Sequence, residues 1–347
     1  MIILIHGTGD DNSKDENWIK WVAKIAARHG NKVLEIPGVA SGEQDLIGTY
    51  VSQFMMKLPP AGTTIRQTPV NPGAATAELH TALRAADGQL VRALGVASGN
   101  EERALEELLS YKLLTPEAGM GTTGIKIRVA VVALCALAYY RRCRPADLRE
   151  IRIIGHSRGG CVAVGVHNLL TYYSVPCEHT LTLDPCHGVN KPRRQKEYFH
   201  KIWYGSLTNI PCHKGVGADF ATWATFRPPI TVGDTGVANV SHPLGIQNQR
   251  GTVVANKLRE IKHGHMGKLQ KVTKPSWYHF GSYKKRKKQI RNDAKMAISM
   301  TMTELANAQR PNMAAHLTEM FQLGIRPGTS DYQDRLYIAD QVMDVLG

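Results

Sequence analysis

The beginning of the chain contains short apolar runs and one segment whose apolar residues have helical spacing. Met1–Ile5 is an uninterrupted apolar run, which predicts a buried β-strand. Trp18–His29 carries apolar residues at helical spacing, and Gly30 is placed to end that helix. Lys32–Ile36 is predicted to be a second strand, which ends at Pro37 and Gly38. This order of strand, helix and strand predicts the start of a parallel sheet.

The same patterns continue along the chain in a less regular way. Two further strands are predicted at Ile151–Ile154 and Thr180–Leu183, with a helix at Cys161–Tyr172 between them. A short strand is also predicted at Lys201–Tyr204, and the Gly-, Pro- and Thr-rich stretch Cys212–Gly251 is expected to be mostly loop. The remaining helical spacings predict helices at Glu43–Met56, Ala74–Leu94, Glu101–Leu114, Ile125–Tyr140, Ser299–Leu323 and Tyr332–Leu346.

These elements predict an α/β fold, a mostly parallel sheet with helices on both faces. We expect a core over residues 1–270, with a helical insertion or cap at roughly 40–124 and a loop-rich insertion at roughly 186–252. Residues 271–347 are expected to form a basic helical C-terminal extension packed on that core.

Composition adds one unusual feature, a strong positive charge. Lys and Arg total 43 against 29 Asp and Glu, which gives a net charge of +14. Such a surface attracts phosphate groups or serves solubility alone. Part of the charge lies in one basic run, which is either a solvated face of a helix or a region that binds an anionic membrane surface. The run consists of Lys284, Lys285, Arg286, Lys287 and Lys288. No nucleic-acid recognition motif accompanies the run, so nucleic acid is not the expected partner.

The spacing of the cysteines and the first residues of the chain indicate in which cellular compartment the protein is expected. None of the six cysteines forms a C-x-x-C pair, so we expect free thiols, no zinc site and no cofactor, with Cys186 and Cys212 as the one pair placed to bridge. No signal-peptide pattern and no apolar stretch of membrane-spanning length is present. We expect a protein made in the cytoplasm, which remains there or leaves by a route that needs no signal peptide.

The most informative motif is Gly155-His156-Ser157-Arg158-Gly159, which lies between a predicted strand and a predicted helix. G-x-S-x-G in that context is the pattern of a nucleophile elbow, a sharp turn that exposes a serine hydroxyl at the sheet edge. Small residues are needed at positions 155 and 159 because the turn brings backbone segments together. We predict that Ser157 is a catalytic nucleophile; a purely structural turn is the alternative.

A serine nucleophile needs a base, and the base needs an orienting acid. Asp184 is the predicted acid because it ends the strand that follows the elbow helix, with Asp219 and Asp234 as fallbacks. His263 is the predicted base, with His265 of the same loop as the alternative. Other histidines left open for that role are His187, His200, His213, His242 and His279.

The predicted oxyanion donors are backbone amides on either side of the serine. Arg158 begins the predicted helix, so its N–H lies at a helix N-terminus. The loop after the first strand lies beside the elbow in this kind of fold, and Gly7 or Thr8 is expected to supply the second N–H.

Four segments of the chain share a resemblance to one family. They are His6–Asn12, the apolar helix with its linker and the elbow up to Gly160, Leu183–Asp184, and His263–Gly267. Together they resemble the type VI secretion lipase effectors and related hydrolases with a serine-arginine-glycine elbow. In that family an aspartate stands at the position of His6 and a phenylalanine at the position of His156.

The resemblance implies an α/β-hydrolase fold and a phospholipase A-type esterase that acts on phospholipid acyl chains. It also implies a role as a toxin effector, with an immunity protein or a secretion-system component as partner. Two alternatives stay open: an esterase or thioesterase for small substrates, and a basic binding module on an inactive hydrolase scaffold.

Overall fold

A computed structural model describes residues 1–9, 17–38, 46–60, 62–63, 65–66, 101–110, 122–173, 175–183, 223–226, 283–322, 328 and 330–347. Its helices and strands follow in chain order: β1 (Ile2–Ile5), α1 (Trp18–Arg28), β2 (Val33–Ile36), α2 (Leu46–Met55), α3 (Glu101–Ser110), α4 (Thr122–Arg142), β3 (Ile151–His156), α5 (Arg158–Tyr172), β4 (Cys177–Leu183), β5 (Trp223–Phe226), α6 (Tyr283–Asn307), α7 (Met313–Gln322) and α8 (Ser330–Leu346).

The strands form one five-stranded sheet in the order β2-β1-β3-β4-β5. Neighbours among β1 to β4 pair in parallel, and β5 pairs antiparallel with β4. The predicted α/β class with a mostly parallel sheet is therefore confirmed. Because the first four strands run in one direction, their carboxyl ends meet at a single edge, where α/β proteins place their ligand sites.

Helices cover both faces of the sheet, as predicted. Ile3 and Ile5 of β1 pack with α2, α3, α4 and α5 on one face. Ile2 and Leu4 of the same strand pack with α1, α6, α7 and α8 on the other face. Since both faces of β1 are buried, the strand is apolar without alternation.

Helix α4 forms the centre of the first face. Every residue from Val129 to Tyr139 is at most 1 % exposed. Two arginines at its end, Arg141 and Arg142, pair with Glu101 and Glu102 at the start of α3. Buried charges cost free energy unless they are paired, so this cluster fixes α3 to α4. None of the helices in the described ranges is both long enough and apolar enough to cross a membrane.

The C-terminal helices pack on the second face. The rings of Trp18 in α1 and Phe321 in α7 have centroids 5.6 Å apart. Arg28, in the last turn of α1, donates from Nη1 to the backbone oxygen of Ala306 in α6, at 2.8 Å. These contacts attach the tail to the sheet layer, whereas the predicted domain boundaries stay a prediction.

Two of the predicted elements need correction. The single helix predicted at Ser299–Leu323 is wrong: α6 ends at Asn307 and α7 begins at Met313. Pro311 lies in the interruption, and a proline has no N–H for a helical hydrogen bond. In the stretch predicted to be mostly loop, Trp223–Phe226 forms β5. The predicted helix Ala74–Leu94 and strand Lys201–Tyr204 lie outside the described residues.

Cysteine placement agrees with the expectation of free thiols over the part that is described. Cys135, Cys143 and Cys177 are buried, and none of the three forms a disulfide within the described part of the chain. Burial raises the pKa of the Cys143 thiol, so it remains protonated and unreactive near neutral pH. Cys186 and Cys212 lie outside the described residues.

A buried histidine joins α5 to β4. The Nδ1 atom of His167 is 2.9 Å from the Thr180 hydroxyl, and the side chain is 2 % exposed at most. Burial lowers the pKa of His167 from 6.5 to about 4, because the charged form loses its hydration. The folded protein therefore holds this imidazole neutral.

We expect His167 to make the fold sensitive to acid. Between pH 6.5 and about 4 the unfolded chain binds a proton at this histidine and the folded chain does not. The free energy of unfolding should therefore decrease as the pH is lowered through that window. His167 alone should account for about 3 kcal/mol of the decrease. Urea unfolding at several pH values, on the native chain and on His167→Gln, measures the difference. An equal loss in both proteins would contradict the assignment.

Candidate active site at the β3–α5 turn

Ser157 links the end of β3 directly to the start of α5. Its φ angle is +55°, and no other non-glycine residue in the described ranges has a positive φ. The left-handed region costs an L-residue roughly 1–2 kcal/mol. A serine is therefore held in a conformation that glycine would adopt without strain.

The glycines on both sides of Ser157 are required by close backbone packing. A Cβ atom at Gly155 would overlap the carbonyl oxygen of Gly159 and lie 2.8 Å from the nitrogen of Gly160. A Cβ atom at Gly159 would lie 2.5 Å from the backbone oxygen of His6. Backbone atoms have nowhere to move, so only glycine fits. The steric reason given for the G-x-S-x-G motif is confirmed at both positions.

Backbone hydrogen bonds fix the turn against the neighbouring strand. The Ser157 N–H donates to the oxygen of Leu183 at 2.9 Å, and the Gly160 N–H donates to the oxygen of Ser157 at 3.0 Å. Leu183 is the last residue of β4, and Asp184 follows it in the chain. The serine and the end of β4 therefore lie at the same edge of the sheet.

The loop after β1 lies against the elbow. A Cβ atom at Gly7 would lie 3.2 Å from the Ser157 Cβ and 2.8 Å from the His156 Nδ1. Arg158 is the first residue of α5, and the N–H groups of a first helical turn have no partner within the helix. Gly7, Ser157 and Arg158 thus come together as predicted from the sequence, whereas Thr8 is exposed. Their function as oxyanion donors stays a prediction.

The predicted acid and base residues lie outside the described part of the chain. This holds for Asp184, His263 and His265, and equally for the fallback carboxylates Asp219 and Asp234. It also holds for the alternative bases, which are His187, His200, His213, His242 and His279. Their assignment as a triad with Ser157 stays a prediction.

His6, at the end of β1, has both ring nitrogens in hydrogen bonds. The Asn17 side-chain amide donates to Nδ1 at 2.8 Å, and Nε2 lies 2.6 Å from the Glu35 carboxylate. The Asn17 Oδ1 also accepts from the Ile19 N–H, so the amide orientation is set by helix α1. Nδ1 therefore accepts, and Nε2 donates to Glu35. His6 is a fixed neighbour of the Gly7 loop rather than a base that can turn toward Ser157.

Two buried arginines lie at the same edge. Arg158 and Arg128 are 4 % and 6 % exposed. The Arg128 guanidinium donates to the backbone oxygens of Pro37 and Gly38, directly after β2, at 3.2 and 3.1 Å. Burial and the positive charge of Arg158 lower the pKa of Arg128 to about 10. The side chain of Arg128 therefore fixes the backbone that follows β2.

Sequence reasoning did not identify Glu35 or Arg128 as site residues. Glu35 is the one charged residue of β2, and Arg128 directly precedes the buried apolar run Val129–Tyr139 of α4. A charge in a buried element is rarely left without a partner or a function, so that contrast was the available signal. The partners themselves come from distant parts of the chain.

Other predicted sites are described only in part. The basic run Lys284–Lys288 lies in the first turns of α6, and its side chains are outside the description. Across the described ranges, no three His, Cys, Asp or Glu side chains are grouped in a way that would hold a metal ion.

Comparison of this chain with protein-family models, with curated proteins and with solved structures found no match.

The backbone strain at Ser157 predicts a difference in stability between two variants, whatever the function of the serine. Ser157→Gly should be about 1 kcal/mol more stable than Ser157→Ala, because glycine relieves the left-handed backbone. Ser52 is exposed in the middle of α2, where the order should reverse and alanine should be the more stable by about 1 kcal/mol. Urea unfolding of the four variants measures both differences. The same order at both positions would contradict a strained turn.

Proposed function

We propose that this protein is a serine carboxylic-ester hydrolase with an α/β-hydrolase fold. The observation that carries the proposal is the left-handed backbone of Ser157, between a parallel central strand and a helix. A turn that served structure alone would be more stable with glycine at this position. Strained residues persist where the strain positions a reacting group, and here the residue is a nucleophile type.

The surroundings of Ser157 fit acyl transfer. The N-terminus of α5 carries partial positive charge, and Gly7 brings a second backbone segment within contact of the serine. Backbone N–H groups placed in this way stabilise the oxyanion of a tetrahedral intermediate. Leu183 is hydrogen bonded to the Ser157 N–H, which supports the neighbouring Asp184 as the orienting acid.

In the proposed mechanism, the Ser157 hydroxyl attacks the acyl carbonyl while His263 accepts its proton. The N–H groups of Arg158 and of Gly7 or Thr8 stabilise the oxyanion. His263 then gives the proton to the leaving alcohol, which leaves an acyl-enzyme. Water attacks that ester while His263 accepts a proton from it, and His263 then returns this proton to the Ser157 oxygen as the fatty acid is released. Asp184 holds the imidazole and stabilises its charged form throughout.

Phospholipid is the proposed substrate class, with cleavage of the phospholipase A type. The net charge of +14 favours association with an anionic membrane surface, and the Lys284–Lys288 run in α6 adds local positive charge. The proposed activity as a toxin effector rests on the resemblance of the four sequence segments alone.

Fatty-acid release from phospholipid vesicles tests the proposal. We expect the native chain to release fatty acid from mixed phosphatidylcholine and phosphatidylglycerol vesicles. Ser157→Ala should reduce release by roughly 10⁴-fold or more, since the attacking atom is lost. Ser52→Ala, an exposed serine in α2, is the matched control and should retain native activity.

Two results would overturn parts of the account. Release that survives in Ser157→Ala would refute the nucleophile. Hydrolysis of short-chain esters or thioesters by the native chain, without release from vesicles, would refute the phospholipid substrate and leave the serine mechanism in place.

A further inference from the structure

We propose that a cavity at the amino edge of the sheet binds a phosphate group, at a site separate from Ser157. The cavity has a volume of about 500 Å³, which lies in the range of small-molecule sites. We call it the amino-edge cavity. Its lining includes Gly30, Lys32, Lys57, Cys143, Asp147 and Arg149.

The amino-edge cavity and the serine lie at opposite ends of the strands. Gly30 and Lys32 lie just before β2, and Arg149 lies just before β3, so the cavity is at the edge where these parallel strands begin. Ser157 follows the other end of β3, whose six residues span about 20 Å. The two sites are therefore distinct, and the inference does not depend on ester hydrolysis at Ser157.

Three cationic side chains from separate parts of the chain line the amino-edge cavity. Lys32 comes from the link between α1 and β2, Lys57 from the end of α2, and Arg149 from the segment that leads into β3. The Lys32 ammonium group donates to the backbone oxygen of Lys57 at 2.8 Å, which holds these two positions together. The fold therefore gathers positive charge in one concave place.

The carboxylate among the lining residues named above has a partner of its own. The Oδ2 atom of Asp147 is 3.0 Å from the Nε atom of Arg144. Across the residues that the structure describes, no carboxylate lies within ion-pair distance of the Lys57 ammonium or the Arg149 guanidinium. The cavity therefore keeps an excess of positive charge.

The negative ends of the neighbouring helices do not account for this excess. The carboxyl ends of α2 and α4 carry partial negative charge, which attracts basic side chains. At the end of α4, Arg66 already donates to two backbone oxygens, at 3.0 and 2.7 Å. At the end of α2, Lys32 donates in the same way and keeps two further N–H groups. The cations of Lys57 and Arg149 remain after both helix ends have donors.

A phosphate group suits this arrangement better than a carboxylate does. A guanidinium group holds phosphate oxygens through paired hydrogen bonds, and a lysine ammonium adds a point charge. A phosphate monoester carries a charge of about −1.5 to −2 near neutral pH, so it is attracted by several cations at once. A second cavity, of about 490 Å³, shares Gly30 and Arg149 with the first and gives space for the organic part of the ligand.

Calorimetric titration of the native chain with inorganic pyrophosphate tests the amino-edge cavity. We expect saturable binding of one pyrophosphate per chain. Lys57→Gln and Arg149→Gln, both at exposed residues, should each weaken the affinity roughly fivefold, because a charged contact is lost. Lys24→Gln removes the same charge from an exposed position of α1 outside the lining. It is the matched control and should keep the native affinity.

Two results would overturn the proposal. The first is the absence of saturable binding at millimolar pyrophosphate. The second is an equal loss of affinity in Lys24→Gln and in the two cavity variants, because the net charge of the chain would then explain the binding. Thermal unfolding without ligand shows that each variant is folded, and if one cavity variant does not fold, the other decides the question.

A phosphate group reaches the cavity either on a soluble molecule or on a lipid headgroup. The Ser157→Ala chain, in which the proposed hydrolysis is absent, separates the two sources. Displacement of pyrophosphate by glycerol 3-phosphate assigns a soluble ligand. Displacement only by phosphatidylcholine vesicles that contain phosphatidic acid assigns a lipid headgroup. Displacement by neither would overturn the assignment to a phosphate ester.

Discussion

The approach of the β3–α5 turn to the end of β1 leaves no space for side chains, and the candidate site depends on that approach. Gly155 and Gly159 are in contact with backbone atoms of the turn and of β1. The chain can reverse so tightly only if one residue adopts a left-handed conformation, and that residue is Ser157. The serine is held at the sheet edge because the surrounding backbone leaves it no other place.

The two buried faces of the sheet make that backbone rigid. Helices α4 and α5 pack against one face, and α1 with the C-terminal helices packs against the other. Polar groups are then collected at the carboxyl edge of the strands. His6 with Glu35, Arg128 on the carbonyls after β2, and Ser157 all lie where strands β1, β2 and β3 end. The active site that we propose therefore lies at this edge of the sheet.

Local patterns predicted the elements that carry this site. The apolar runs of β1 and β3, the helix after Ser157 and the glycines around it follow from sequence because each depends on near neighbours in the chain. The His6–Glu35 contact and the position of Arg128 depend on strand register and helix packing, which join residues 29 and 91 positions apart. The break between α6 and α7 was missed because apolar spacing continues on both sides of Pro311. Strand β5 is not predicted from the sequence because it has only four residues, and the residues around it are typical of turns.

The most direct measurement is covalent labelling of the native chain with a fluorophosphonate, followed by mass spectrometry of the labelled peptide. A serine activated by a base and an oxyanion hole reacts with such a reagent, whereas an ordinary serine does not. The account predicts stoichiometric labelling at Ser157 that disappears after denaturation before addition of the reagent. A folded chain in which Ser157 stays unlabelled would contradict it and would favour a binding protein built on this fold.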